Sequence, residues 1–185
     1  MRLFIGVDLP AEIKQALVDF QSELRVLEIN GFFKSQDNFH ITLEFLGELD
    51  ESKIPALTET LSKVASNYKP FELNLFGLGA FPSFKRPHTL WTAVNGSLTE
   101  LNRLRDDLHH ELKNKGFQLD ERLFKPHISL ASRPKIDNID FSVVKTKKLG
   151  EFMVTDVVLF ESRALRGKRV YIDLYRALLK TSGAN

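Results

Sequence analysis

His40 and Thr42 stand two residues apart in Asn38-Phe39-His40-Ile41-Thr42-Leu43, and His127 and Ser129 keep the same spacing in His127-Ile128-Ser129-Leu130. Residues two apart on an extended chain leave the same face, so each His-x-Thr/Ser sets an imidazole beside a hydroxyl while the isoleucine between them turns inward. One such site is common and says little, because Ser and Thr are frequent residues. Two of them, face to face, suit a tetrahedral phosphate. Its non-bridging oxygens accept from the hydroxyls, and the two rings divide the work of acid and base. Cleaving a phosphodiester needs an activated nucleophile on one side of phosphorus and a proton for the departing alkoxide on the other. A single histidine does not supply both at once.

The elements that must position these residues repeat as the motifs do. The second motif follows the first by 87 positions, and the same offset lays Leu3, Phe4 and Val7 on Leu90, Trp91 and Val94. Each half, at about 2–46 and 89–131, reads strand, helix, strand. Arg2–Val7 is apolar and bounded by Pro10, a buried strand; Ile13, Ala16, Leu17, Phe20, Leu24 and Leu27 form one helical stripe. A turn is expected at Asn30-Gly31. In Asn38–Leu46 the residues Phe39, Ile41, Leu43 and Phe45 alternate with His40, Thr42 and Glu44, so Phe45 falls on the core side by parity.

The remaining elements follow the same logic. Asp50 caps a second helix of Ile54, Leu57, Leu61, Val64 and Tyr68. Phe71, Leu73 and Leu75 mark a strand closed by Gly77 and Gly79, and Thr89–Val94 marks another. Ser97 with Glu100 reads as a capping box for the helix of Leu101, Leu104, Leu108 and Leu112. Phe124–Ala131, Phe152–Phe160 and Val170–Tyr175 read as strands, with a basic turn over Arg163–Arg169. The economical architecture is a duplicated α+β fold with a pseudo-twofold relation.

Composition narrows the chemistry. Cysteine is absent from the 185 residues, which removes thiolate nucleophiles and Cys-based metal centres. The 26 Lys and Arg nearly balance 24 Asp and Glu, so attraction for phosphate must be local. No apolar run approaches the roughly 18 residues of a membrane span, and the start lacks a signal-peptide pattern, so no membrane role and a cytoplasmic place are expected. His109-His110-Glu111 resembles a metal cluster only superficially, because adjacent helical residues diverge; no metal or other cofactor is expected. A monomer is expected too, since no apolar stripe is left over.

The paired motifs, with FLGE after the first and FKPH leading into the second, resemble the 2H phosphoesterase superfamily. Within it the chain is similar to the bacterial and archaeal RNA 2′,3′-cyclic phosphodiesterases, also called 2′-5′ RNA ligases. FIGVDLP, GLGAFPSFKRPHTLW, LFESRAL and GKRVY extend the likeness over almost the whole chain. The resemblance implies one 2H phosphoesterase domain over 1–185, bilobal, with antiparallel-rich sheets facing a central cleft and helices outside. It implies metal-independent opening of a 2′,3′-cyclic phosphate at an RNA end or nucleotide to a 2′-phosphomonoester.

Carried across, the resemblance makes His127 the general base toward water, His40 the general acid toward O3′, and Thr42 and Ser129 the phosphate-holding hydroxyls. Phe45 resembles a nucleobase-contacting position, against its parity. The family arginine five residues past the second histidine is missing: Ser132 stands there, and Arg133 one later. If the strand ends there Arg133 swings in; if not, the contact comes from elsewhere. Arg86 and Arg163 are further candidates for guiding RNA. Two alternatives stand beside hydrolysis: 2′-5′ joining of RNA ends as the main activity, and a phosphate- or RNA-binding module without turnover.

Overall fold

The computed structural model describes residues 1–137 and 139–180. Two antiparallel sheets carry the motif strands. β3 (His40–Glu48) and β6 (His127–Lys135) each begin at a motif histidine and run nine residues, two to four residues later in the chain than the expected 38–46 and 124–131. β3 lies at the edge of a four-stranded sheet in the order β3-β1-β8-β9, with β1 Arg2–Asp8, β8 Asp156–Leu165 and β9 Lys168–Leu178. β6 lies in a five-stranded sheet, β2-β6-β5-β4-β7, with β2 Asn30–Phe33, β4 Phe71–Phe81, β5 Thr89–Gly96 and β7 Lys148–Val154. The architecture is α+β, with α1 (Ala11–Val26), α2 (Ile54–Ala65) and α3 (Leu98–Asn114) packed on the sheets and a short α4 (Ser142–Lys145) before β7.

Two of the helices, α1 and α3, do not stay with their own strands. α1 follows β1 in the chain, yet it packs against β7 of the other sheet, and its buried Gln21 reaches the Leu130 carbonyl on β6. α3 follows β5, yet its Arg105 and His109 both meet Glu44 on β3. Leu17, Phe20 and Leu24 of α1 and Leu101, Leu104 and Leu108 of α3 are fully buried in one continuous core. Burying each such side chain stabilises the fold by about 1.5–3 kcal/mol. α1 and α3 thus each reach from their own repeat to the sheet that carries the other motif strand, and β3 and β6 lie in contact between the sheets.

Five expectations from the sequence change. Asn30–Phe33 is a strand rather than a turn, because β6 offers it hydrogen-bond partners at Ala131, Ser132 and Lys135. β4 does not close at Gly77 and Gly79 but runs on to Phe81; a Cβ on Gly79 would lie 2.3 Å from the Trp91 ring, so this glycine makes room for that indole. Phe152–Phe160 is not one strand. β7 and β8 belong to different sheets, and the chain crosses between them at Thr155. The Ser97 side chain makes no cap; its main-chain N–H donates to the Glu72 carbonyl at 2.9 Å, tying the start of α3 to β4. Asp50 does accept from the Ser52 N–H, through a short turn that leads into α2. The basic turn is tighter than expected, with Arg166-Gly167 joining β8 to β9.

Candidate active site

A cavity of about 190 Å³ opens between the sheets, and His40, Thr42, His127 and Ser129 all line it. Each ring is held the same way. His40 Nδ1–H donates to the Asn38 carbonyl at 2.8 Å, and His127 Nδ1–H donates to the Lys125 carbonyl at 2.7 Å. A carbonyl only accepts, so the proton of the neutral ring sits on Nδ1 and the lone pair sits on Nε2. In His40 that lone pair accepts from the Thr42 hydroxyl at 2.9 Å.

Aromatic neighbours hold the rings as well, again in matched positions. The Phe4 ring lies 4.7 Å from His40, and Trp91, its counterpart in the repeat, lies 6.1 Å from His127. Tyr171 meets His40 edge-on and Phe81 meets His127 edge-on, both at 4.9 Å. Burial disfavours the imidazolium in both rings. It pushes His40 down to about 4 from 6.5, against the Asn38 carbonyl bond and aided by the charges of His127 and Lys34. It lowers His127 in the same direction.

Phe45 does not follow its parity. The ladder with β1 pairs Gly6 with Thr42 and Ile5 with Glu44, passing over Leu43. That bulge buries Leu43 and Glu44 in succession and turns Phe45 to the cavity, 42% exposed. The same bulge recurs in the second half, where Trp91 pairs with Ser129 and Leu90 with Ala131, passing over Leu130. Phe45 stacks parallel to Phe4 at 6.4 Å, and the Arg2 guanidinium lies 5.1 Å from its centroid. Glu44, now inside, accepts from His109 Nδ1 at 2.8 Å, so His109 serves α3 packing.

The three predicted arginines lie apart from this cavity. β6 continues through Arg133 to Lys135, but Arg133 sits at an irregularity of the β2–β6 ladder with φ +48°, exposed, its guanidinium 6.0 Å from the Phe32 ring. Arg86 is exposed between β4 and β5. Arg163 is exposed on β8 and pairs with Glu161 at 2.7 Å. The cations that do line the cavity are Arg2, Lys34 and Arg169. Of these only Arg169 fell inside a basic cluster visible in the sequence. Arg2 and Lys34 are single charges beside apolar runs, and no local pattern marks them.

Known proteins resemble this chain in sequence and in fold. A family model described as LigT-like phosphoesterase matches residues 7–91. An Archaeoglobus fulgidus protein named RNA 2′,3′-cyclic phosphodiesterase is 34% identical over 179 residues, which span 94% of this chain and 98% of that one. The chain belongs to the LigT-like phosphoesterase family. An Aeropyrum pernix protein of the same name is 33% identical over 152 residues, 80% of this chain and 85% of its own. Among solved structures, a Thermus thermophilus protein superposes with a TM-score of 0.83 at 26% identity, covering 99% of this chain and all of that one. LigT of E. coli complexed with 3′-AMP superposes with a TM-score of 0.78 at 28% identity, covering 97% and 98%. As a member of this family the chain is a phosphoesterase of the 2H superfamily. Among the described residues no helix is long and apolar enough to cross a membrane.

Proposed function

We propose that this chain hydrolyses 2′,3′-cyclic phosphate ends of RNA to 2′-phosphomonoesters with two histidines and no metal. One observation carries the reading. Both imidazoles line one cavity with Nδ1 committed to a carbonyl, which leaves Nε2 of each for the reaction. A single chain supplies both rings. The relatives named RNA 2′,3′-cyclic phosphodiesterase and the 3′-AMP complex of LigT support the substrate class.

A second groove of about 510 Å³ shares Thr42, Phe45, His127 and Ser129 with the cavity but not His40. This second open side at His127 supports entry of the nucleophile there. His127 Nε2 takes a proton from water, the water oxygen bonds to phosphorus, the bond from phosphorus to O3′ breaks, and His40 delivers its Nε2 proton to O3′. Burial favours the neutral His40 ring; a phosphate anion beside it favours the imidazolium. Once protonated, Nε2 donates rather than accepts, and the Thr42 hydroxyl is released to donate to a phosphate oxygen along with that of Ser129. Arg2, Lys34 and Arg169 offset the charge of the phosphate.

Turnover of a 2′,3′-cyclic nucleotide in excess chelator tests this reading. His40→Ala and His127→Ala are each expected to lower the rate by about 10²–10⁴-fold. Undiminished turnover in either variant refutes the assignment. The breadth of the second groove favours one further reading, in which a ribose 5′-hydroxyl replaces water at His127 and the product is a 2′-5′ bond. Product analysis with cyclic-ended and 5′-hydroxyl RNA decides which acceptor dominates.

A further inference from the structure

The three cations of the cavity are not equivalent. Arg2 lies over the Phe45 ring, and Arg169 donates Nη1–H to Ser162 Oγ at 3.3 Å. Lys34 is half-buried, and among the described residues its ammonium has no ion-pair or hydrogen-bond partner. Its main chain is tied down firmly. The Lys34 N–H donates to the Leu130 carbonyl at 2.8 Å. The Lys34 carbonyl accepts from Gln21 Nε2 at 2.9 Å, and the same amide donates to the Leu130 carbonyl at 3.0 Å. Gln21 is 3% exposed, so a buried side chain of α1 spends both its hydrogens on holding Lys34 beside the strand of Ser129 and His127.

Arg2, Lys34 and Arg169 line one cavity whose lining holds no carboxylate among the described residues, and like charges gathered in this way repel one another. The arrangement makes chemical sense when an anion fills the cavity. We propose that Lys34 is a catalytic residue, donating to a non-bridging phosphate oxygen and stabilising the charge that builds on that oxygen as the nucleophile adds. β2 pairs Phe32 with Ser132 and Phe33 with Ala131, so Lys34 enters from the strand bonded to the segment where the expected arginine is missing. The inference rests on the phosphodiesterase reading for its substrate, whereas the anion site itself does not.

The groups acting on His40 from around it are His127 and Lys34, which disfavour its protonation, and Asp8, which favours it. Removing the Lys34 charge should therefore raise the proton affinity of His40. That shift reports the nearness of the Lys34 charge to His40, and the loss of phosphate binding together with kcat reports its role.

The test compares the unmodified protein with Lys34→Met, Lys34→Gln and Lys34→Arg. Inorganic phosphate is titrated while the imidazole resonances of His40 and His127 are followed, and kcat, KM and the pH profile are measured with a 2′,3′-cyclic nucleotide. Loss of the charge is expected to weaken phosphate binding about tenfold and to lower kcat/KM about 100-fold, largely in kcat. The acid limb should move to higher pH. Lys34→Arg should recover activity to within about tenfold of the unmodified protein, since a guanidinium also binds phosphate. Phosphate binding and kcat/KM within about threefold of the unmodified protein in both neutral variants would overturn the proposal. If the unmodified protein binds phosphate through Lys34 but turns over no cyclic nucleotide, the phosphodiesterase reading and the catalytic role fall together, leaving an anion site.

Discussion

Holding His40 neutral makes the fold sensitive to acid, and the size of that effect follows from the ring's surroundings. The group binds protons near pH 4 in the fold and near 6.5 in the unfolded chain. Between those values the unfolded chain holds more protons, so stability falls as pH drops through 6.5 toward 4. Linkage gives a loss of about 2 kcal/mol from this one residue on going from pH 7 to pH 5, and about 3 kcal/mol when pH 4 is reached. These are upper values, since any water near the ring lessens them. Other groups titrate over the same range, so the informative quantity is a difference between two proteins. His40→Asn keeps an amide N–H that can bond the Asn38 carbonyl but cannot become charged.

Urea unfolding of both proteins at pH 7 and pH 5 is the assay. The unmodified protein should lose about 2 kcal/mol more than His40→Asn, a relative midpoint shift near 1 M for a slope of about 2 kcal/mol per M. Inorganic phosphate at pH 5 should narrow the gap, because an anion in the cavity favours the charged ring. Equal losses in the two proteins would refute the claim that His40 is held neutral by burial.

Other expectations follow from the same geometry. The kcat/KM profile reports the free protein, and both histidines are lowered from 6.5, so its maximum should lie on the acid side of that value; a maximum well above it would contradict the burial of the rings. Phe45→Ala removes a stacking surface that is already 42% exposed, so stability should change little while KM for a cyclic nucleotide rises about tenfold. A cyclic phosphate on a ribose without a base should show no such change in steady-state kinetics. Gly79→Ala drives a Cβ into the Trp91 ring, which packs near His127. That variant should lose about 1–3 kcal/mol in urea unfolding and lose kcat as well.

The amino-acid sequence alone determined where the paired motifs lie, because a residue type repeated at one offset within the same strand pattern needs no coordinates to be seen. His40 with Thr42 and His127 with Ser129 share a face in any extended chain, and the apolar stripes of α1 and α3 announce the helices that cover them. Which side Phe45 takes was beyond it. Parity assumes an unbroken ladder, and the bulge at Leu43 arises only from pairing with β1. The split at Thr155 was equally hidden, since a continuous apolar run reads the same whether it stays in one sheet or passes to another.

The charges that line the cavity depended most on tertiary structure. Arg2, Lys34 and Arg169 come from β1, the end of β2 and β9, three places remote in the chain. Arg133, Arg86 and Arg163 looked more suitable by sequence position, and the ladder and the surface keep them elsewhere. Long-range strand pairing and the exchange of α1 and α3 between the sheets decide which cations line the cavity. A charge has no periodicity by which its neighbours can be read, so only the folded chain selects among them.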